Sequence, residues 1–83
     1  MNPYAVFLHS DAVNQLIRGP ASRRLQLRAF FERIAANPFI TGEFKVKDHL
    51  DRDAEVKRVG VFLVTYHSNH AVKGVQILNI EAI

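Results

Sequence analysis

The sequence predicts an α+β fold, a compact two-layer β-α-α-β-β-β domain in which an antiparallel sheet packs against a helical hairpin. Two observations carry this. Two segments with helical apolar spacing are each closed by a residue followed by proline, Gly19-Pro20 and Asn37-Pro38. After them, from Glu43 on, the chain changes to short β-branched and aromatic runs separated by turn residues, the composition of neighbouring antiparallel strands.

The elements follow in order. Tyr4 to His9 is a short apolar run and reads as a first strand. Ser10 suits a helix N-cap, and Asp11 places a carboxylate in the first turn, where the helix dipole favours it. The helix from about Asp11 to Arg18 carries Val13, Leu16 and Ile17 on one side, and Gly19-Pro20 ends it. A second helix runs from about Ala21 to Ala36, with Leu27, Phe30, Phe31 and Ile34 in one apolar stripe that must cover the sheet. Glu43 to Asp48 alternates, with Phe44 and Val46 on the side expected to be buried. Glu55 to Val59 is the next strand, and Gly60 either ends it or marks a bulge in one long strand. Val61 to Tyr66 is apolar on both faces and belongs in the middle of the sheet. A hairpin turn at Ser68-Asn69 leads to a last strand, Val72 to Ile80.

Eighty-three residues make a single domain, 1-83, with stability on the order of 5 kcal/mol. An apolar fraction of 48% with 23% charged residues excludes a disordered chain. The absence of cysteine excludes disulfides and thiolate metal sites and fits the cytoplasm. Neither a signal peptide nor a membrane span is expected. Charge is unevenly placed. Between Arg18 and Arg33 stand five arginines against Glu32, a local +4, while the rest of the chain has six basic and seven acidic residues. Arg18, Arg23, Arg24 and Arg28 thus form a candidate partner-binding face for phosphates or an acidic protein, or else a solvated helix face.

Candidate chemistry is sparse. His67 and His70 bracket a turn without an adjacent acid, so no metal and no cofactor is expected. His9 has no evident partner, the serines lack an elbow motif, and the glycines are dispersed. In the predicted hairpin, acids Glu43, Asp48, Asp51, Asp53 and Glu55 alternate with Lys45, Lys47, Arg52, Lys57 and Arg58. This pattern reads either as a salt-bridged hairpin or as a nucleic-acid site. In the second case Lys45, Lys47 and Arg58 would supply cations and His49 a proton-transfer group.

Taken together, Tyr4 to Leu8, the helix end Ile34-Ala35-Ala36-Asn37-Pro38, Gly42, the strand Val59-Gly60-Val61-Phe62-Leu63-Val64-Thr65-Tyr66 and the final Val75-Gln76-Ile77-Leu78-Asn79-Ile80 resemble the RelE/ParE superfamily of bacterial type II toxins. The resemblance implies a toxin neutralised by a cognate antitoxin. It implies one of two targets: the ribosome, where RelE-like members cut mRNA in the A site, or DNA gyrase. Leu63 stands where the nucleases carry an arginine, and the expected C-terminal His, Tyr or Arg has no counterpart before Ile83. The resemblance therefore points to a toxin acting mainly by binding. A ribosome-dependent mRNA endoribonuclease and a non-toxic binding domain are the alternatives.

Overall fold

A computed structural model describes residues 3–48 and 50–82. The chain forms β1 (Ala5–Leu8), α1 (Ser10–Arg18), α2 (Ala21–Ala36), β2 (Phe44–Lys47), β3 (Asp53–Val59), β4 (Phe62–Asn69) and β5 (Gly74–Ala82). One five-stranded sheet has the order β1-β5-β4-β3-β2. It is antiparallel except at β1, which pairs in parallel with β5. Among the described residues no helix is long and apolar enough to cross a membrane.

Both helices stop where a proline follows. Gly19 takes extended angles (φ −81°, ψ 158°), the region that a following proline imposes, and Asn37 has left the helical region at φ −137°, ψ 82°. Helix α1 starts one residue earlier than its sequence suggests, with His9 as N-cap and Ser10 already helical. Among the described residues no side chain caps it.

The core lies between the helices and the two strands at the middle of the sheet. Leu27, Phe30 and Ile34 of α2 and Ala12 of α1 are buried with Phe62, Val64 and Tyr66 of β4 and Val75, Ile77 and Ile80 of β5. Strand β4 shows the period of two that a one-sided core demands. On β5 the core positions Ile77 and Ile80 are three apart, which a regular strand cannot place on one face. A register shift opposite Thr65 and Tyr66 absorbs Leu78, so Ile77 pairs with Tyr66 and Ile80 with Val64.

Two expectations change. The last hairpin turns at residues 70–73, not at Ser68-Asn69, which belong to β4. Asn69 Oδ1 accepts the Ala71 and Val72 N–H groups (3.1 and 3.4 Å) and Lys73 takes a left-handed φ of 53°. An asparagine at the start of the turn does what the sequence assigned to its centre. Strand β2 is exposed along its whole length, Phe44 and Val46 included. It forms the sheet edge beyond the helices, and its register with β3 sets these two side chains beside Val56 and Ala54, outside the main core. Gly60 resolves its alternative as a turn residue, with φ +60° between β3 and β4.

Candidate functional site

The hairpin of β2 and β3 carries the candidate catalytic residues, and its register decides how they stand. Lys45 pairs with Glu55 and Lys47 with Asp53, so all four side chains share one face. Lys47 Nζ lies 2.6 Å from Asp53 Oδ1, and Lys45 Nζ 3.9 Å from Glu55 Oε2. Arg58 lies at an odd step from Glu55 on β3 and pairs with Leu63 of β4, on the other face. Its Nε donates to the Gly60 carbonyl at 3.3 Å, and its N–H to Glu43 Oε2 at 2.8 Å. Lys57 reaches Glu43 Oε1 at 3.4 Å. The structure therefore brings Lys45 and Lys47 together and sets Arg58 apart from them. His49 lies outside the described residues. The backbone ladder of β2 and β3 holds the hairpin, and interstrand ion pairs line one face of it.

Its tip is built on Asp48, whose side chain is only 5% exposed. One carboxylate oxygen accepts the N–H groups of Leu50 and Arg52 (2.8 and 2.9 Å), and the other accepts Arg52 Nε at 2.9 Å. The Arg52 N–H, with help from its guanidinium and the Leu50 N–H, holds this carboxyl below the usual aspartate range. A depressed pKa contributes stability above the unfolded-state value, near 3.9, that is lost as pH falls through the folded value. Amide exchange at Leu50 and Arg52, corrected for intrinsic rates, is therefore expected to accelerate below about pH 4. In Asp48→Asn the Arg52 amide should already be less protected at neutral pH.

The basic helix face is less engaged. Arg18, at the end of α1, and Arg23, Arg24 and Arg28, in the first half of α2, are all exposed. Among the described residues only Arg28 has a carboxylate within reach. That partner is Glu32 at 3.4 Å, both side chains being at least 70% exposed, which makes a weak pair. Ile17 and Leu25, each 64% exposed, stand in the same segments. The outcome is a run of exposed arginines interspersed with exposed apolar side chains.

A cluster that the sequence reading missed lies where the α2–β2 loop meets the β4–β5 turn. Phe39, 70% exposed, stacks flat on His70, with ring centroids 4.6 Å apart and 10° between planes. Tyr4 meets His70 edge-on, its hydroxyl 3.0 Å from Nδ1. Phe39 is far from His70 and Tyr4 in sequence, and nothing local distinguishes an exposed aromatic after a helix from a core one. His67 turns its Nδ1 to the Asp53 carbonyl at 2.8 Å; a carbonyl can only accept, so this nitrogen carries the proton.

Comparison with solved structures agrees with this architecture. A chain of the archaeal RelE–RelB complex from Pyrococcus horikoshii superposes with a TM-score of 0.79 at 23% identity, covering 96% of this chain and 94% of that one. The toxin–antitoxin complex RelBE2 from Mycobacterium tuberculosis gives 0.79 at 21% identity, over 98% and 99% of the two chains. A free mutant of Escherichia coli RelE gives 0.75 at 13% identity, over 96% and 83%. The chain has the RelE-type fold. No protein-family model and no curated protein matches the sequence. Within the RelE-type fold the helix order, the parallel pairing of β1 with β5 and the exposed β2 edge together form the frame on which the arginines and the hairpin lysines are carried.

Proposed function

We propose that this chain is the toxin component of a type II toxin–antitoxin module, that it works in the cytoplasm, and that a cognate antitoxin neutralises it. Its growth inhibition proceeds mainly through binding a target, with the ribosome and DNA gyrase as the candidates. The observation that supports this most is the end-to-end likeness to chains from two toxin–antitoxin complexes, over 94% and 99% of their lengths. Fold alone does not fix function. The open arginine face adds a reason specific to this chain, because Arg18, Arg23, Arg24 and Arg28 offer complementary charge to an acidic antitoxin segment.

Binding is favoured over cleavage because the candidate nuclease cations are not gathered on one face. Lys45 and Lys47 share one face of the sheet, in exposed ion pairs, and Arg58 pairs with Leu63 on the other. A ribosome-dependent mRNA endoribonuclease would use Lys45, Lys47, His49 and Arg58.

Induction of the chain alone and together with any short reading frame flanking its gene tests the reading. Growth arrest relieved by that neighbour is expected, and no arrest would refute it. Rapid translational arrest with codon-positioned mRNA cuts would replace binding by cleavage. The double substitution Arg24→Glu with Arg28→Glu should weaken the complex at least about ten-fold at low salt, and added salt should narrow the difference. Calorimetric titration at two ionic strengths measures both effects.

A further inference from the structure

We propose that the cleft between Phe39 and Glu55 receives an arginine side chain from a protein partner. The cleft measures about 240 Å³, and Phe39, His70, Tyr66, His67, Asp53 and Glu55 are among its lining residues. The proposal rests on the reading that this chain works with a protein partner, and it adds a second point of contact of opposite charge to the basic helices.

The aromatic wall is mounted rigidly and left uncovered. Phe39 follows a turn in which its own N–H bonds Asn37 Oδ1 at 3.3 Å, and the Pro38 carbonyl accepts Ser68 Oγ at 3.0 Å. One side of the stack is anchored through His70 to Tyr4. A ligand meeting this surface has little left to order, which lowers the entropic cost of binding.

The carboxylate of Glu55 is only partly engaged within the chain, one oxygen by a hydrogen bond and the other by a loose ion pair. Its side chain is four-fifths buried, at 20% exposure. Oε1 accepts the Gly42 N–H at 2.9 Å. Oε2 has no hydrogen-bond donor among the described residues; Lys45 Nζ stands 3.9 Å away, at the end of a side chain 70% exposed to water. A carboxylate oxygen in this position gains from a donor that carries positive charge.

The sign of the surroundings selects among planar ligands. Asp53 stands on the same rim, paired with Lys47 at 2.6 Å. With Asp53 already paired to Lys47, Glu55 is the carboxylate open to a ligand, and a phosphate-bearing base would bring like charge against it. A guanidinium stacks on an aromatic face and gives a carboxylate paired N–H donors in the same plane, whereas a lysine ammonium supplies only a point charge.

The probe is the pentapeptide acetyl-Gly-Ser-Arg-Ser-Gly-amide, titrated into the ¹⁵N-labelled full chain, beside the same peptide with citrulline, a neutral isostere of arginine. Shifts centred on Phe39, Glu55 and His70 are expected, with the citrulline peptide at least about ten-fold weaker. Glu55→Gln retains an acceptor for the Gly42 N–H and should erase the difference between the peptides. Phe39→Ala removes an exposed ring and should weaken the arginine peptide without unfolding the chain. Equal affinity for both peptides, shifts confined to other residues, or tighter binding of hexauridylate at these same residues would each overturn the proposal. Because no antitoxin takes part, such a failure is separate from failure of the toxin reading, which induction and growth report.

Discussion

Replacing Tyr66 by alanine is expected to leave the chain largely unfolded. Tyr66 is fully buried in the middle strand, edge-on to Phe30 at 5.8 Å, and its hydroxyl donates to the Ile40 carbonyl at 2.7 Å. Removing a large buried aromatic costs about 3–5 kcal/mol, and a domain of this size holds on the order of 5 kcal/mol in all. The milder Tyr66→Phe keeps the packing and strips the carbonyl of its donor, at a cost of roughly 1–2 kcal/mol. Urea titration followed by circular dichroism separates the two variants. A Tyr66→Phe midpoint equal to that of the parent would show that the hydrogen bond to Ile40 contributes nothing. Burial pushes the hydroxyl up to about 12, with further contributions from the charges of Glu55 and Glu43. A raised pKa contributes stability that is present below the unfolded value near 10 and lost as pH rises through the folded one. The parent should therefore weaken in alkali more steeply than Tyr66→Phe.

Gly42→Ala is the second large effect. A β-carbon on Gly42 would overlap the Val56 carbonyl oxygen and stand 2.6 Å from its carbon and 2.9 Å from its nitrogen. These are backbone atoms of a strand already paired on both sides, so no rotamer change can relieve the contact. The chain must move away instead, giving up the 2.8 Å bond from the Glu43 N–H to the Val56 carbonyl and the Gly42 N–H contact to Glu55. A loss of about 2–3 kcal/mol is expected. Hydrogen exchange should show the loosening concentrated at β2, with the helices little affected at low denaturant. A uniform loss across the whole chain would contradict this account.

The core was legible in the sequence and the cleft was not, for a physical reason. The stripe Leu27, Phe30, Phe31 and Ile34 and the double-sided run of β4 follow from periodicities that any helix on a sheet must obey. Leu27, Phe30 and Ile34 are buried, with Phe31 packed against them. Phe44 and Val46 alternate as correctly as a buried strand, yet they are exposed. Alternation says which residues share a face, and only tertiary structure says whether anything covers it. Likewise Lys45, Lys47 and Arg58 look close along the sequence. The odd spacing between Arg58 and Glu55 sends the arginine to the other face of the sheet once β3 is straight. Phe39, His70 and Tyr4 come together through three separate segments, and a one-dimensional pattern has no signal for such a meeting.

The parallel union of β1 with β5 has a consequence in time. Ala5 is made 69 residues before its register partner Gly74. Until β5 emerges from the ribosome, β1 has no neighbour in the sheet, and Val75, Ile77 and Ile80 are missing from the core. Loop closure over nearly the whole chain must precede the reward of that pairing. A copy that lacks β5 therefore cannot hold the finished shape, and whatever the folded surface does begins only after β5 has been made.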